Sequence, residues 1–573
     1  MKKIVLLVPL LLIPFVFWAQ STSFETATQA VQNMKVGWNL GNTLEAHKKK
    51  PNPDLSTYWG QEGLESENNW GQSNTKPELL KMMKEAGFCA ICVPVTWYNH
   101  MDAEGNVDSK WMARVKEVVD YVLDQGMYCI VNVHHDTGAD ETGEHVSWIK
   151  AEGANFNKNK ARFEKLWQQI ATEFKDYDQK LLFESYNEML DKYSSWNYAT
   201  SNRAGGYLES EAKDAYDAIN NYAQSFVNVV RETGGNNAQR NLVVNTYGAC
   251  SGGKWGSNEL PMEPLRQMKL PTDVTSNHLI FQIHSYPGLK SNNLASIKSQ
   301  VTTMMSDLKN ILTSKGAPVI IGEWGTINDD SDVNYNDNKT NYLEFCNHFV
   351  TEAKDNGMCT FYWMGLSDGP VRSLPVFSQP DLAECILKAY YGSYYSPVIP
   401  TLNDVEYDFS VSYTKQWAEA NLSNSTLTLS QYKGIRIELA EKPLSGNLQL
   451  KVYGEGGKEQ YNSLTEATTT INFNKSTLGS TVSRITLQYC KATYPYQVRV
   501  KSAMLIKTDG TEIKTILSTF WGCSVELNNT SGINTLTQHP TNLDNYFYTL
   551  DGRCVVRPKK GVYIRNGKKV VIK

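Results

Sequence analysis

Eight short apolar runs, each separated from the next by a longer stretch, restrict the fold of this chain more than any other feature. VGWNL at 36–40, FCAICVPV at 88–95, YCIVNV at 128–133, KLLFESY at 180–186, LVVNT at 242–246, HLIFQIH at 278–284, PVIIGEW at 318–324 and MCTFYW at 358–363 read as buried strands. The stretches between them carry helical period. In SKWMARVKEVVDYVLDQG, Trp111, Val115, Val118, Val119 and Val122 keep to one helical face and Gly126 supplies a stop. Eight such units predict an α/β fold, a (β/α)8 TIM barrel whose working face lies at the C-terminal ends of its strands. A doubly wound open sheet is the competing arrangement. It would bring a glycine-rich phosphate loop after the first strand, and the sequence has none there.

At 573 residues the chain is too long for one core. Beyond the proline-bearing joint SPVIP the texture changes to short alternating stretches, among them KGIRIELA, NLQLKVYG, TTTINFN, SRITLQYC and KSAMLIKTDG, which predict an antiparallel β-sandwich over 401–530. Its Trp417, Tyr432, Tyr489, Tyr494 and Tyr496 would either form a sugar-binding platform or fill a core. Hairpin-like strands then form a short β-rich C-terminal tail at 540–573. At the other end, residues 1–20 run from Lys2 and Lys3 through IVLLVPLLLIPFVFW to Ala19, the order of a cleaved secretory signal, which leaves 21–397 as the barrel domain. No later window approaches the ~18–20 apolar residues of a membrane helix, so no membrane span is expected. A net charge of −4 leaves no basic footprint for nucleic acid. The ten cysteines mostly sit in apolar runs as small core residues, and the one close pair, Cys89 and Cys92, has no matching second pair for zinc or redox chemistry.

Two glutamates stand where such a barrel does its work. LLFESYNEML and PVIIGEWG place Glu188 and Glu323 just past buried strands. Paired carboxylates facing one cleft suit glycosidic bond cleavage, in which one acid protonates the leaving oxygen and the other attacks the sugar. Either residue alone would read as an ion-paired strand end. His134 and His135 on an apolar strand would suggest metal ligation, but no third ligand follows at suitable spacing, so no metal and no cofactor is expected.

Taken together, GWNLGNTLEA at 37–46, VPVTW at 93–97, VNVHHD at 131–136, FESYNEM at 183–189, QIHSYPG at 282–288, IGEWG at 321–325 and FYW at 361–363 resemble, in order, the strand-end motifs of glycoside hydrolase family 5. The resemblance spans about residues 25–395. It implies net retention, with Glu188 as acid/base and Glu323 as nucleophile, their carboxyl groups about 5–5.5 Å apart, the first protonated and the second ionised. It further implies that Asn187 donates to the sugar 2-hydroxyl, that His284 supports the acid/base and that Tyr286 lies against the nucleophile. His134 would orient reacting groups, His135 would contact a subsite, and a sugar would stack on Trp363. Asn39, Trp97 and Trp324 are second-tier groove candidates; Trp59, Trp70, Trp148 and Trp196 lie in loops that would line distal subsites. The chain departs from the family at Cys92, where an Arg that bonds the nucleophile is usual. A thiol cannot supply that charge. A weakened enzyme, a compensating cation from another loop or a substituted variant would each follow.

The implied activity is that of a secreted endo-β-glycanase cutting β-1,4-glucan, or a mixed-linkage or decorated glucan such as xyloglucan. An endo-β-1,4-mannanase is the alternative within the class, because the catalytic set does not report the sugar's C2 configuration. A surface glycan-binding protein that has lost turnover is the alternative from another class. The tail resembles the C-terminal sorting segments of secreted proteins from Bacteroidetes-like bacteria. The expected partners are therefore a polysaccharide and the secretion or surface-anchoring machinery, and the expected form is a monomer outside the cell or on its surface.

Overall fold

The computed structural model describes residues 24–48, 62–139, 147–194, 209–255, 258–260, 262–328, 338–423 and 426–529, with short strands between 547 and 572. The signal-like segment, Trp59 and Trp196 lie outside the described residues. The chain divides into two units, Met1–Leu402 and Asn403–Lys573.

The first unit is a closed barrel of eight strands in chain order: β1 (Val36–Asn39), β2 (Ala90–Val93), β3 (Tyr128–Asn132), β4 (Leu181–Glu184), β5 (Leu242–Cys250), β6 (Leu279–Ser285), β7 (Val319–Trp324) and β8 (Cys359–Tyr362). Every neighbouring pair is parallel, including β1 with β8. All eight apolar runs form strands because both strand faces are covered. Ile91, Val93, Val131, Phe183, Val244 and Ile283 point outward into the layer shared with the helices, while Ala90, Ile130, Leu182, Val243, Ile280, Ile320 and Phe361 fill the barrel interior.

The helix Ser109–Asp124 buries Trp111, Val115, Val118, Val119 and Val122. The Asp108 side chain caps its first turn by accepting from Lys110 N, and Gly126, at φ 69°, turns the chain away after it. The helix Ala27–Met34 puts Ala27, Ala30, Val31 and Met34 into the same apolar cluster as the barrel interior and closes the end where the strands begin. The other end stays open for chemistry.

The second unit contains two antiparallel sheets. Apart from the short edge pieces Leu427–Thr428 and Glu512–Lys514, the strands of these sheets are β9 (Tyr407–Tyr413), β10 (Glu419–Ser423), β11 (Tyr432–Leu439), β12 (Leu448–Gly454), β13 (Glu459–Ser463), β14 (Thr468–Asn472), β15 (Thr481–Tyr489), β16 (Tyr496–Lys507), β17 (Ser518–Trp521) and β18 (Cys523–Asn529). They run in the orders β14-β11-β16-β9-β18 and β13-β12-β15-β10-β17. Tyr413 of one sheet donates its hydroxyl to Leu487 O of the other at 3.0 Å, as expected of a sandwich. Tyr489 is buried and serves the core; it stacks on the half-buried Tyr496 at 4.5 Å, whereas Trp417 and Tyr494 remain exposed. Within the tail, Phe547–Tyr548, Cys554–Val555, Gly561–Arg565 and Lys568–Ile572 pair into a four-stranded sheet.

Candidate active site

At the open end of the barrel the chain leaves β4 and is tied back by Asn187 N, which donates to Val133 O at 2.9 Å and leaves Glu188 over the mouth. Glu323 reaches the same mouth by a different device. On β7, Ile321 pairs with Ile283 but Glu323 pairs with His284, so two steps on one strand match one on the other. Strict alternation would leave Glu323 on the outer face with Ile321; this bulge turns it inward beside His284. The same shift turns Trp324 outward, where it stacks on Phe349 at 4.4 Å and is fully buried. Trp324 is thus a core residue and not the groove residue expected.

Gly322 sits at the bulge, and a Cβ there would overlap the amide group of Gln282. Asn39 Nδ2 also donates to Gly322 O at 2.8 Å. Gly322→Ala is therefore expected to displace Gln282 or β7 and to lower turnover about 10–100-fold, the loss that follows when reacting groups shift by about 1 Å. Steady-state kinetics on protein with an unchanged melting temperature check this.

Tyr286 donates its hydroxyl to Glu323 Oε2 at 2.7 Å. His284 Nδ1 lies 2.8 Å from Glu188 Oε1 and 3.5 Å from Glu323 Oε2. An oxygen of Glu188, an oxygen of Glu323 and a ring nitrogen of His284 lie within 4.8 Å of one another. Two carboxylates this close can flank a single sugar carbon with no water between.

Burial pushes the Glu323 carboxyl up to about 8 against the pull of His284; Glu188 adds to the rise and the Tyr286 hydrogen bond opposes it. Burial pulls the His284 imidazole down, but Glu323, Glu188 and Glu184 outweigh it and carry the group up to about 9. Burial thus opposes the charge expected on Glu323 in the resting site. The physical reason is enclosure: the Glu323 side chain is 9% exposed and that of Glu188 17%. His284 thus rests as an imidazolium, and burial disposes Glu323 to hold a proton.

His134 stands on the other side of Glu323, its Nε2 3.8 Å from Oε1. Burial first, then His284 and His47, hold its imidazole well below the usual range, so it is neutral. Asn132 Nδ2 donates to His134 Nδ1 at 3.0 Å, which puts the ring proton on Nε2. That nitrogen is 3.3 Å from the Asn187 amide, whose Oδ1 otherwise has no partner. With the amide oxygen turned to the ring, Nδ2 of Asn187 is left to donate into the cleft. Trp363 lies parallel to His134 at 5.9 Å and is partly exposed. The aromatic wall continues through His135, which is 5.2 Å from Trp70 and 5.3 Å from His47.

Other expected residues lie elsewhere. Trp97 is fully buried, donating Nε1 to Asn132 O at 3.0 Å. Asn39 is enclosed inside the barrel and is not a groove wall. Trp148 donates to Asp136 Oδ1 at 2.6 Å under the Arg162 guanidinium, so both its edge and its face are in use. Cys92 points into the barrel, and its thiol is pushed far up, by burial first and then by the charges of Glu184 and Glu323, so it stays neutral. A ring of polar side chains passed over by sequence reasoning lies just below: Asn132, Glu184, Asn245 and Gln282, all buried. Each is an inward residue near the end of its strand, so period-two counting back from the motifs would have marked them.

Residues 50–368 match the family described as Cellulase (glycosyl hydrolase family 5). Cellulase/esterase CelE of Acetivibrio thermocellus is 33% identical over 340 residues, 59% of this chain; the chain spans 36% of that relative's length. A GH5-4 broad specificity endoglucanase from an uncultured bacterium is 53% identical, with a TM-score of 0.59 over 65% of this chain and 97% of its own. PbGH5A of Prevotella bryantii B14, solved as a variant in complex with a xyloglucan tetradecasaccharide, is 40% identical, with a TM-score of 0.55 over 64% of this chain and 99% of its own.

Proposed function

The chain belongs to glycoside hydrolase family 5, and from that membership we propose that it is a secreted retaining endo-β-1,4-glucanase working by double displacement with Glu323 and Glu188. The observation that carries this is the convergence of the two carboxylates on either side of His284 Nδ1 at the barrel mouth. Glu323 attacks the anomeric carbon, the glycosidic C–O bond breaks, and Glu188 gives its proton to the departing oxygen. The first step thus needs the proton on Glu188. His284 Nδ1, in reach of both carboxylates, lets it move there from Glu323 with no change in total charge. In the second step Glu188 takes a proton from water, the oxygen of that water bonds to the anomeric carbon, and the ester to Glu323 breaks. Tyr286 and the imidazolium of His284 steady the Glu323 charge, and Asn187 Nδ2 donates to the sugar 2-hydroxyl. Trp363 carries the ring at the cleavage point, and His135 with Trp70 continues the wall for further sugars.

The PbGH5A variant was solved with a xyloglucan oligosaccharide, which supports decorated glucans as substrates here. The test is to incubate the pure chain with β-glucan, xyloglucan and mannan and to identify the fragments. Internal cleavage of the glucans is the expected result, and cleavage of mannan alone would overturn the substrate assignment. Cys92, the neutral thiol beneath Glu323, is the observation that favours a glycan-binding protein with weak turnover. Binding without any fragments would select that reading.

A further inference from the structure

Below the two glutamates lies the ring of buried polar side chains Asn39, Asn132, Glu184, Asn245 and Gln282; Asn39 holds Gly322 and Asn132 sets the His134 tautomer, but double displacement gives Glu184 no part. Its donors and acceptors do not balance. Asn245 Nδ2 donates to Glu184 Oε1 at 3.0 Å, and Asn132 Nδ2 is 3.4 Å from the same oxygen. Glu184 Oε2, Asn39 Oδ1, Asn245 Oδ1 and Gln282 Oε1 have no hydrogen-bond partner among the described residues. Gln282 faces His284 Nε2 across 3.4 Å and, with its amide turned, accepts from the imidazolium; Glu184 Oε2, Asn39 Oδ1 and Asn245 Oδ1 remain as enclosed acceptors short of donors, at about 1–3 kcal/mol each. An ionised carboxylate, which can only accept, makes the shortage worse.

The charges around Glu184 do not relieve it. Cys92 on β2 is held neutral, His134 after β3 is neutral, and Glu323 on β7, once ionised, faces it with charge of its own sign. His284 on β6 is the cationic group that acts on it, and its Nδ1 is committed to the two glutamates above.

We propose that Glu184 works as a carboxylic acid and not as a carboxylate: a positioning residue whose Oε2–H supplies the donor its ring lacks and keeps a third negative charge away from Glu188 and Glu323. Burial supports this by driving the Glu184 carboxyl up to about 7, against the pull of His284 and of the Asn245, Asn132 and Gln282 amides. The proposal rests on the double-displacement reading for its consequence but not for its detection, since a protonated carboxyl can be seen whether or not the chain cuts a glucan.

Difference infrared spectra of the wild type against Glu184→Gln, recorded from about pH 5 to about pH 9, test the protonation state. A protonated-carboxyl C=O band that is absent from the variant and fades as pH rises through about 7 is the expected result. A difference spectrum without that band at any pH overturns the proposal. The kinetic arm tests its consequence. Glu184→Gln, the isostere of the neutral acid, is expected to keep turnover within about threefold, while Glu184→Ala loses about tenfold or more. The acid limb of kcat/KM is expected to stay in place in Glu184→Gln, because a neutral amide replaces a neutral acid; a move to lower pH would show that a carboxylate at 184 opposes ionisation of Glu323 and would defeat the proposal. Turnover lost about 100-fold in folded Glu184→Gln and restored in Glu184→Asp would show that the charge is needed, and would sink the proposal.

Discussion

Glu323→Ala is expected to abolish turnover, by on the order of 10⁴-fold or more, with every substrate the chain accepts, because no other group can form the covalent ester. Glu188→Ala is expected to behave differently. With a natural glucan, whose leaving oxygen needs a proton, it loses about 10²–10⁴-fold. With an aryl glucoside whose phenolate departs unprotonated, the first step survives and the ester accumulates, because Glu188 is also the base for the incoming water. A burst of phenol followed by a slow phase, and a mass increase on Glu323, are the results to look for. Equal losses in both variants on both substrates would undo the division of roles. The geometry is the reason to expect the asymmetry. Glu323 is enclosed by Tyr286, His284 and His134, as a group that bonds to the sugar should be, while Glu188 keeps an exposed edge toward which water can come.

Much of this was legible in the sequence, for reasons that differ from residue to residue. The eight strands could be read because both of their faces are apolar, so each run is continuous and its bounds lie within a few residues of the turn signals. The placement of Glu188 and Glu323 at the ends of the fourth and seventh strands could be read for the same reason. The orientation of Glu323 could not, since it depends on a bulge at Gly322 that period two does not contain. That one shift also accounts for Trp324, which alternation would have aimed at the cleft. Trp97 and Trp148 look like groove aromatics in sequence but are claimed by distant partners, Asn132 O and Asp136, that only the closed barrel brings near. The polar ring below the mouth was within reach. Asn132, Glu184 and Gln282 each stand two residues before a motif histidine or at the end of an apolar run, on the inward side. The catalytic motifs drew the eye past them.

The second large effect is expected at Cys92. Replacing this thiol with arginine would put a permanent positive charge inside the barrel, on the strand position that pairs with Asn39 and acts electrostatically on both Glu184 and Glu323. An arginine beside a carboxylate lowers its proton affinity by about 1–3 pH units. Glu323, now pushed up to about 8, would then ionise at lower pH. The acid limb of kcat/KM is accordingly expected to move down by about 1–3 units in Cys92→Arg, with higher turnover on the acid side of the present optimum. Space is the opposing term. Cys92 is 4% exposed and packs with Ala90 and Ile130, so a guanidinium forced in there costs about 1–3 kcal/mol of overpacking, which thermal melts would report.

The new cation should also change Glu184. With a guanidinium beside it, the ring no longer needs the proton on Oε2, and Glu184 becomes the ionised partner of the arginine. Cys92→Arg in the Glu184→Gln background would have Glu323 and not Glu184 as its carboxylate partner, so the two substitutions are expected to be non-additive. A folded Cys92→Arg protein whose pH–rate profile matches the wild type would show that a charge at position 92 does not reach Glu323. Additive effects of the two changes would show that Glu184 and residue 92 do not share a charge.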